Sequence, residues 1–169
     1  PKIKNRSRIH YLMANIEAPQ IAGDNNWALL LDPDGFIAEG TGDNFFIVKN
    51  GKVITPEGRN ILRGISRAYV IEELCPQLGI PVVETNIDAY DVQTADEAFM
   101  TGTPFCMLPV TGLNGSAIGD GKVGGVFAKL LKQWGANTGV DIEGQIKAWD
   151  AVRQGGAADA PTPYRFKSK

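Results

Sequence analysis

Cysteine and histidine are scarce in this 169-residue sequence, which has Cys75 and Cys106 without CxxC spacing and a single histidine, His10. That inventory excludes a disulfide framework and a Cys/His zinc site, and it leaves two buried thiols as the reading of the cysteines. An excess of charge of one sign is lacking too. The 17 Lys and Arg against 19 Asp and Glu leave a net charge of -2, and the basic residues are scattered rather than banked, so there is no footprint for nucleic acid. Apolar runs are short and interrupted, too short to span a bilayer, and no charged, apolar and small-residue succession marks a signal peptide. The expectation is a soluble, cytoplasmic protein with no metal site and no membrane or nucleic-acid partner. The sequence also opens on Pro1 rather than methionine, so its natural N-terminus is expected to be missing.

What is present suffices for one compact domain: 43% hydrophobic residues over this length fill one core and not two. Residues 1–154 are assigned to it. Residues 155–169, small, Pro-rich and aperiodic, read as a tail. Ile9, Leu12, Met13 and Ile16 carry helical spacing over Ile9 to Ala22, with Gly23 as the stop. Ala28 to Leu31, a turn at Asp32 to Gly35, and Phe36 to Ala38 read as a strand pair. Asn44 to Val48 and Lys52 to Thr55, joined through Asn50-Gly51, form the clearest hairpin. A helix from Ser66 to Leu78, capped by Ser66, is followed by Gly79, and Pro76 falls in its last turn. Ile80 to Val83, Glu97 to Met100 and Met107 to Val110 are strand candidates. A glycine-rich loop, Gly119 to Gly125, precedes an amphipathic helix from Val126 to Trp134. No internal repeat or heptad is visible.

Four segments carry chemistry. Glu39 is followed by Gly40-Thr41-Gly42, so its carboxylate sits at a small-residue bend that can admit a ligand; a solvated turn residue is the plain alternative. Gly64-Ile65-Ser66 opens a helix, where free amides and a hydroxyl can cup a phosphate, although any such serine can be an N-cap only. Thr101-Gly102-Thr103 offers two hydroxyls and a close backbone approach, as ordinary turns also do. Lys4 is not intrinsically distinct from Lys2. The four segments in this order supply what a Schiff-base cofactor needs: an amine, an anion for a ring nitrogen, and donors for a phosphate.

From about Lys4 to Lys132 the joint pattern resembles the class IV pyridoxal-phosphate aminotransferases, the family of branched-chain, D-amino-acid and (R)-amine transaminases and of aminodeoxychorismate lyase. The spacing from Lys4 to Glu17-Ala18 is of the D-amino-acid and (R)-amine type, which makes Lys4 and not Lys2 the Schiff-base lysine. Glu39 to Asn44 matches the Glu-Gly-x-x-x-Asn turn, with Glu39 as the ring-nitrogen carboxylate. Leu62 to Arg67 matches Leu-x-Gly-Ile-Thr-Arg, with Ser66 for threonine. The most specific match is Ala95 to Thr103 against Ala-Asp-Glu-x-Phe-x-x-Gly-Thr, and Gly119 to Gly124 matches a glycine loop before the last helix. The resemblance implies an α/β fold with a mixed, largely antiparallel sheet in a barrel-like arrangement with flanking helices, the larger domain of a D-amino-acid-aminotransferase-like enzyme. It implies pyridoxal 5′-phosphate as cofactor, Lys4 and Glu39 as catalytic residues, Leu62 against the ring, and Ile65, Ser66 and Thr103 at the phosphate. Asn44, Gly64 and Gly102 complete the cofactor-binding set.

Three departures bear on substrate. Pro104 replaces an alanine whose amide helps receive the substrate carboxylate, and proline has no N–H. Asn5-Arg6-Ser7-Arg8 puts cations where relatives often have an aromatic, so Arg8 is a candidate for an acidic substrate group or is simply solvated. The family's smaller N-terminal domain, with its phosphate-clamping arginine, is expected to be missing from this sequence. Substrate binding is therefore assigned to Arg8, Pro104 and Phe105. The implied activity is transamination between an amino acid or amine donor and a 2-oxo acid, branched-chain aminotransferase-like, in a homodimer. The alternatives are a lyase of the same family, which would use the same residues, and a truncated non-catalytic fragment.

Overall fold

The computed structural model describes residues 3–5, 7–21, 23 and 25–154. Pro1, Lys2, Arg6, Ala22 and the tail assigned to residues 155–169 lie outside these. Two compact units are present, Pro1–Leu131 and Lys132–Lys169.

Among its described residues the first unit has nine strands: β1 (Leu29–Leu31), β2 (Ile37–Gly40), β3 (Asn44–Lys49), β4 (Lys52–Thr55), β5 (Val82–Glu84), β6 (Glu97–Gly102), β7 (Cys106–Val110), β8 (Gly112–Leu113) and β9 (Ser116–Ala117). β1 to β5 pair in sequence order, β6 branches from β3, and β7 pairs with β6. The sheet is mixed and largely antiparallel, with the β4–β5 pair parallel. Pairings among the described strands do not close a ring. The expected hairpin is present as β3 and β4, and its Asn50-Gly51 turn has φ of 51° and 71°. Two successive positive φ values are what a type I′ turn demands and what Asn-Gly tolerates.

Alternation along β3 divides the core. Phe45 and Ile47 face a cluster with Ile37, Ile87, Val92, Ala95, Ala98 and Ile118. Phe46 faces the other way and stacks on its cross-strand partner Phe99, with ring centroids 4.8 Å apart. Asn44, two residues before Phe46, shares that second face, and the polar row described below continues from it.

Helix α1 (Ile9–Glu17) ends before Ala22 was expected to end it, passing into a 3₁₀ turn at Ala18–Gln20. Pro19 lies in that turn, and a residue without N–H cannot continue the i→i−4 ladder. The apolar stripe that marks this helix is exposed: Ile9 is 72% exposed and Met13 62%, whereas Tyr11 is buried.

The second expected helix begins one residue early, and its cap is Gly64 rather than Ser66. Gly64 is extended (φ −64°, ψ 142°), and Ser66 is the second residue of α2 (Ile65–Tyr69). A π-helical stretch, Val70–Leu74, and α3 (Cys75–Gln77) continue the run, with Pro76 accommodated at the start of α3. Cys75 is buried there, and burial pushes its thiol up to about 11; burial also raises that of half-buried Cys106. Two short elements of this unit have no counterpart in the sequence reading: α4 (Ala89–Gln93), opened by a capping box between Asp88 and Asp91, and the β8–β9 hairpin.

The Ala95-to-Thr103 segment and the glycine loop prove to be joined. Asp96 accepts from the Asn50 amide of the β3–β4 turn at 2.8 Å. Glu97 accepts from the Val126 and Phe127 amides at 2.8 and 2.9 Å, capping α5 (Gly125–Thr138) from a neighbouring strand. A Cβ on Gly124 would lie 2.0 Å from the Glu97 carboxyl carbon, so glycine is required where this cap docks.

The second unit holds the end of α5 and α6 (Ile142–Gln154), a helix the sequence reading did not include. Asp141 accepts from the Gly144 amide at 3.0 Å, which starts α6, and Glu143 pairs with Lys147 one turn on. Among the described residues no helix is long and apolar enough to cross a membrane.

Candidate active site

Glu39 lies in β2 directly opposite Asn44, the first residue of β3. The strand thus runs through Glu39 to Gly40, one residue further than the small-residue bend first suggests. The turn at residues 41–43 sets the two polar side chains beside each other on one face. Glu39 is 4% exposed, and three donors converge on it. The Tyr11 hydroxyl donates to Oε1 at 2.8 Å, and Asn44 Nδ2 and the Leu62 amide donate to Oε2 at 3.1 and 2.9 Å. A buried carboxylate without such donors would be strongly unfavourable, so the arrangement is self-consistent as well as rigid.

Asn44 fixes more than the carboxylate. Its Nδ2 also donates to the Leu62 carbonyl at 2.8 Å, and its Oδ1 lies where a Cβ on Gly64 would come within 2.2 Å. The Glu-to-Asn turn and the Leu-x-Gly segment are therefore one interlocked unit, closed by side-chain hydrogen bonds and a glycine that leaves room for them. Gly64 delivers the chain into α2, whose first amides, at Ile65 and Ser66, have no acceptor within the helix. Arg67 anchors the base of α2 by donating to the Pro56 carbonyl at 2.9 Å and pairing with Glu84. The arginine of the motif is a structural tie.

These elements surround a cavity of about 590 Å³. Lys4, Arg8, Glu39, Asn44, Leu62, Gly64, Ile65, Ser66, Gly102 and Thr103 all line it. Pro104 and Phe105 do not; Pro104 is exposed in a turn, and the Phe105 ring packs over Gly102 and edge-on against Trp27. Arg8 donates to the Thr41 carbonyl and sits over the Tyr11 ring, 5.7 Å from its centroid.

Among the other residues that line the cavity are Tyr11 and Asp43, which the sequence reading did not single out, and Thr101, which it noted only as one of the two hydroxyls of the Thr-Gly-Thr turn. Burial, then the hydrogen bond to Glu39, holds the Tyr11 hydroxyl well above its ordinary range, so it stays a proton donor. Asp43 folds over Gly40, where a Cβ would lie 2.3 Å from either carboxylate oxygen, and its Oδ2 is buried without a partner. Burial pushes Asp43 up to about 6; the Gly42 amide opposes the shift and the negative Glu39 adds to it. Thr101 stands opposite Asn44 in the sheet, buried, and its hydroxyl likewise has no partner. No sequence signal aims these groups. Tyr11 lies off the apolar stripe of α1, and Thr101 falls within a strand, where only the register shows which face it takes.

The model of the amino-transferase class IV family matches residues 1–113. The chain belongs to that family. It is 42% identical over 135 residues to a putative branched-chain-amino-acid aminotransferase of Methanocaldococcus jannaschii, covering 79% of this chain and 46% of the relative. It is 40% identical over 130 residues to the branched-chain-amino-acid aminotransferase of Pseudomonas aeruginosa, covering 77% and 41%. Among solved structures, a branched-chain amino acid aminotransferase from Thermobaculum terrenum in its PLP (holo) form matches with a TM-score of 0.72 and 34% identity, covering 77% of this chain and 42% of that one. The chain thus spans less than half the length of these class IV proteins.

Proposed function

We propose that this class IV chain forms the cofactor-bearing part, residues 1–154, of a pyridoxal-phosphate-dependent aminotransferase that moves an amino group from an amino acid or amine to a 2-oxo acid. The observation that carries the reading is the Glu39 carboxylate, buried at the cavity and held by three donors, with Lys4 lining the same cavity. The relatives described above, all named aminotransferases, favour transfer over lyase chemistry.

The residues present fit pyridoxal phosphate. The cavity offers an amine, a fixed carboxylate, helix-start amides and hydroxyls, and Thr101 is a buried hydroxyl without a partner among the described residues. When bound, the cofactor supplies an electron sink for bonds at the substrate carbon that carries the amine. Glu39 is assigned to the ring nitrogen, where its carboxylate would favour the protonated form, the state in which the ring draws electrons best. Lys4 would supply the amine that holds the cofactor and, as a free amine, a base able to take a proton at that carbon. Ile65 and Ser66 amides, the Ser66 hydroxyl, Gly102 and Thr103 are assigned to the phosphate, and Leu62 to the ring. Arg8 is assigned to an acidic substrate group. A homodimer with its sites near the interface, as is common in the family, belongs to the same reading.

Amino transfer to 2-oxoglutarate from a panel of branched-chain and D-amino acids tests this in the full-length protein. Lys4→Ala and Glu39→Gln should each lower turnover by at least a hundredfold, and Lys2→Ala should leave it unchanged. Retained turnover in the Lys4 variant contradicts the assignment.

A further inference from the structure

We propose that Tyr11 is a positioning residue for Glu39: its hydroxyl fixes the carboxylate oxygen that Asn44 and Leu62 leave unheld, and so sets how strongly the site holds a ligand's ring nitrogen. The inference rests on the reading of Glu39 given above and extends it to a residue on a different element.

The geometry divides the carboxylate in two. Oε2 receives both the Asn44 amide and the Leu62 backbone amide, groups contributed by β3 and by the segment leading into α2. Oε1 receives the Tyr11 hydroxyl at 2.8 Å, from α1. Without Tyr11 the two Oε2 contacts still tether one oxygen, but the carboxylate can pivot about it. With Tyr11 both oxygens are placed, and the plane of the group is fixed.

Three features suit Tyr11 to this task. It is 6% exposed, on a helix where Ile9, Leu12, Met13 and Ile16 are exposed, so Tyr11 helps hold α1 to the cavity. Its hydroxyl is shifted well away from ionisation, so the contact remains a donor facing an acceptor. Arg8, over its ring and donating to the Thr41 carbonyl in the bend between β2 and β3, ties the same helix turn to the loop that follows Glu39. Lys4 precedes α1 by a few residues, so the contact also couples the placement of the amine to that of the carboxylate.

The test uses pyridoxal 5′-phosphate and its 1-deaza analogue, in which carbon replaces the ring nitrogen, titrated into the full-length protein and its variants. Tyr11→Phe removes only the hydroxyl and should weaken pyridoxal phosphate about tenfold, the scale of a hydrogen bond to a charged group, while leaving the deaza analogue within about twofold. Glu39→Gln should show the same selectivity, and the double variant should lose no more than Glu39→Gln alone. Equal loss of both ligands in Tyr11→Phe, whether through misfolding or a packing role, overturns the proposal, as does no loss of either. If Glu39→Gln is selective and Tyr11→Phe is not, the Tyr11 role alone falls. If Glu39→Gln does not discriminate the two ligands, the assignment of Glu39 falls and that of Tyr11 with it.

Discussion

Asp43 is the residue whose surroundings conflict most with its chemistry: a carboxylate folded over Gly40, one oxygen without a partner, beside the negative Glu39. Its folded-state value near 6 stands above the ordinary 3.8, so the folded protein binds this proton more tightly than the unfolded chain does. Stability from this group is therefore fully present below pH ~4 and is lost as pH rises through about 6. Asp43→Asn keeps the shape and removes the charge. Denaturant melts of the variant at pH 7 should show a gain of roughly 2 kcal/mol over the parent, with the difference gone near pH 4. A variant equally or less stable at pH 7 would mean that Asp43 is paired rather than stranded. At this scale the sequence is partly legible: the order Glu39, Asn44, Leu62, Gly64 is readable as chemistry because each type is needed. Asp43 and Tyr11 are not, and Thr101 is legible only as one hydroxyl of a turn, because their roles depend on which way a side chain points after the strands have paired.

Between elements, the same lesson takes another form. The β3–β4 hairpin is readable because Asn50-Gly51 specifies its own turn, and β6 because an apolar run is bounded by turn residues. The β8–β9 hairpin has the same Asn-Gly signal at Asn114-Gly115, with φ of 49° and 83°, but strands of two residues each give no alternation to detect. Helix α4 depends on a capping box over five residues, and α6 mixes polar and apolar residues in nearly equal numbers. The acidic pair Asp96-Glu97 is legible in sequence only as part of a motif, and the structure shows two anchors, one on the hairpin turn and one on α5. Glu97→Ala leaves the Val126 and Phe127 amides without their acceptor. It should cost about 1–2 kcal/mol and lower the melting temperature by roughly several degrees, with Glu97→Gln intermediate. An unchanged melting temperature in the alanine variant would show that α5 does not depend on this cap.

For the molecule as a whole, sequence periodicity identifies α1 correctly and leaves open what its stripe faces. Ile9, Leu12, Met13 and Ile16 turn away from this chain's own core, and the chain spans less than half the length of the class IV relatives it matches. What the described residues do enclose is a cavity lined by both Lys4 and Glu39. The account stands on that pairing of one amine with one fixed carboxylate. Its most direct test is chemical. The full-length protein is saturated with pyridoxal 5′-phosphate, reduced with borohydride, digested and mapped by mass spectrometry. The account predicts a stable pyridoxyl label on Lys4 that disappears in Lys4→Ala. A label on any other lysine, or none at all, would contradict it.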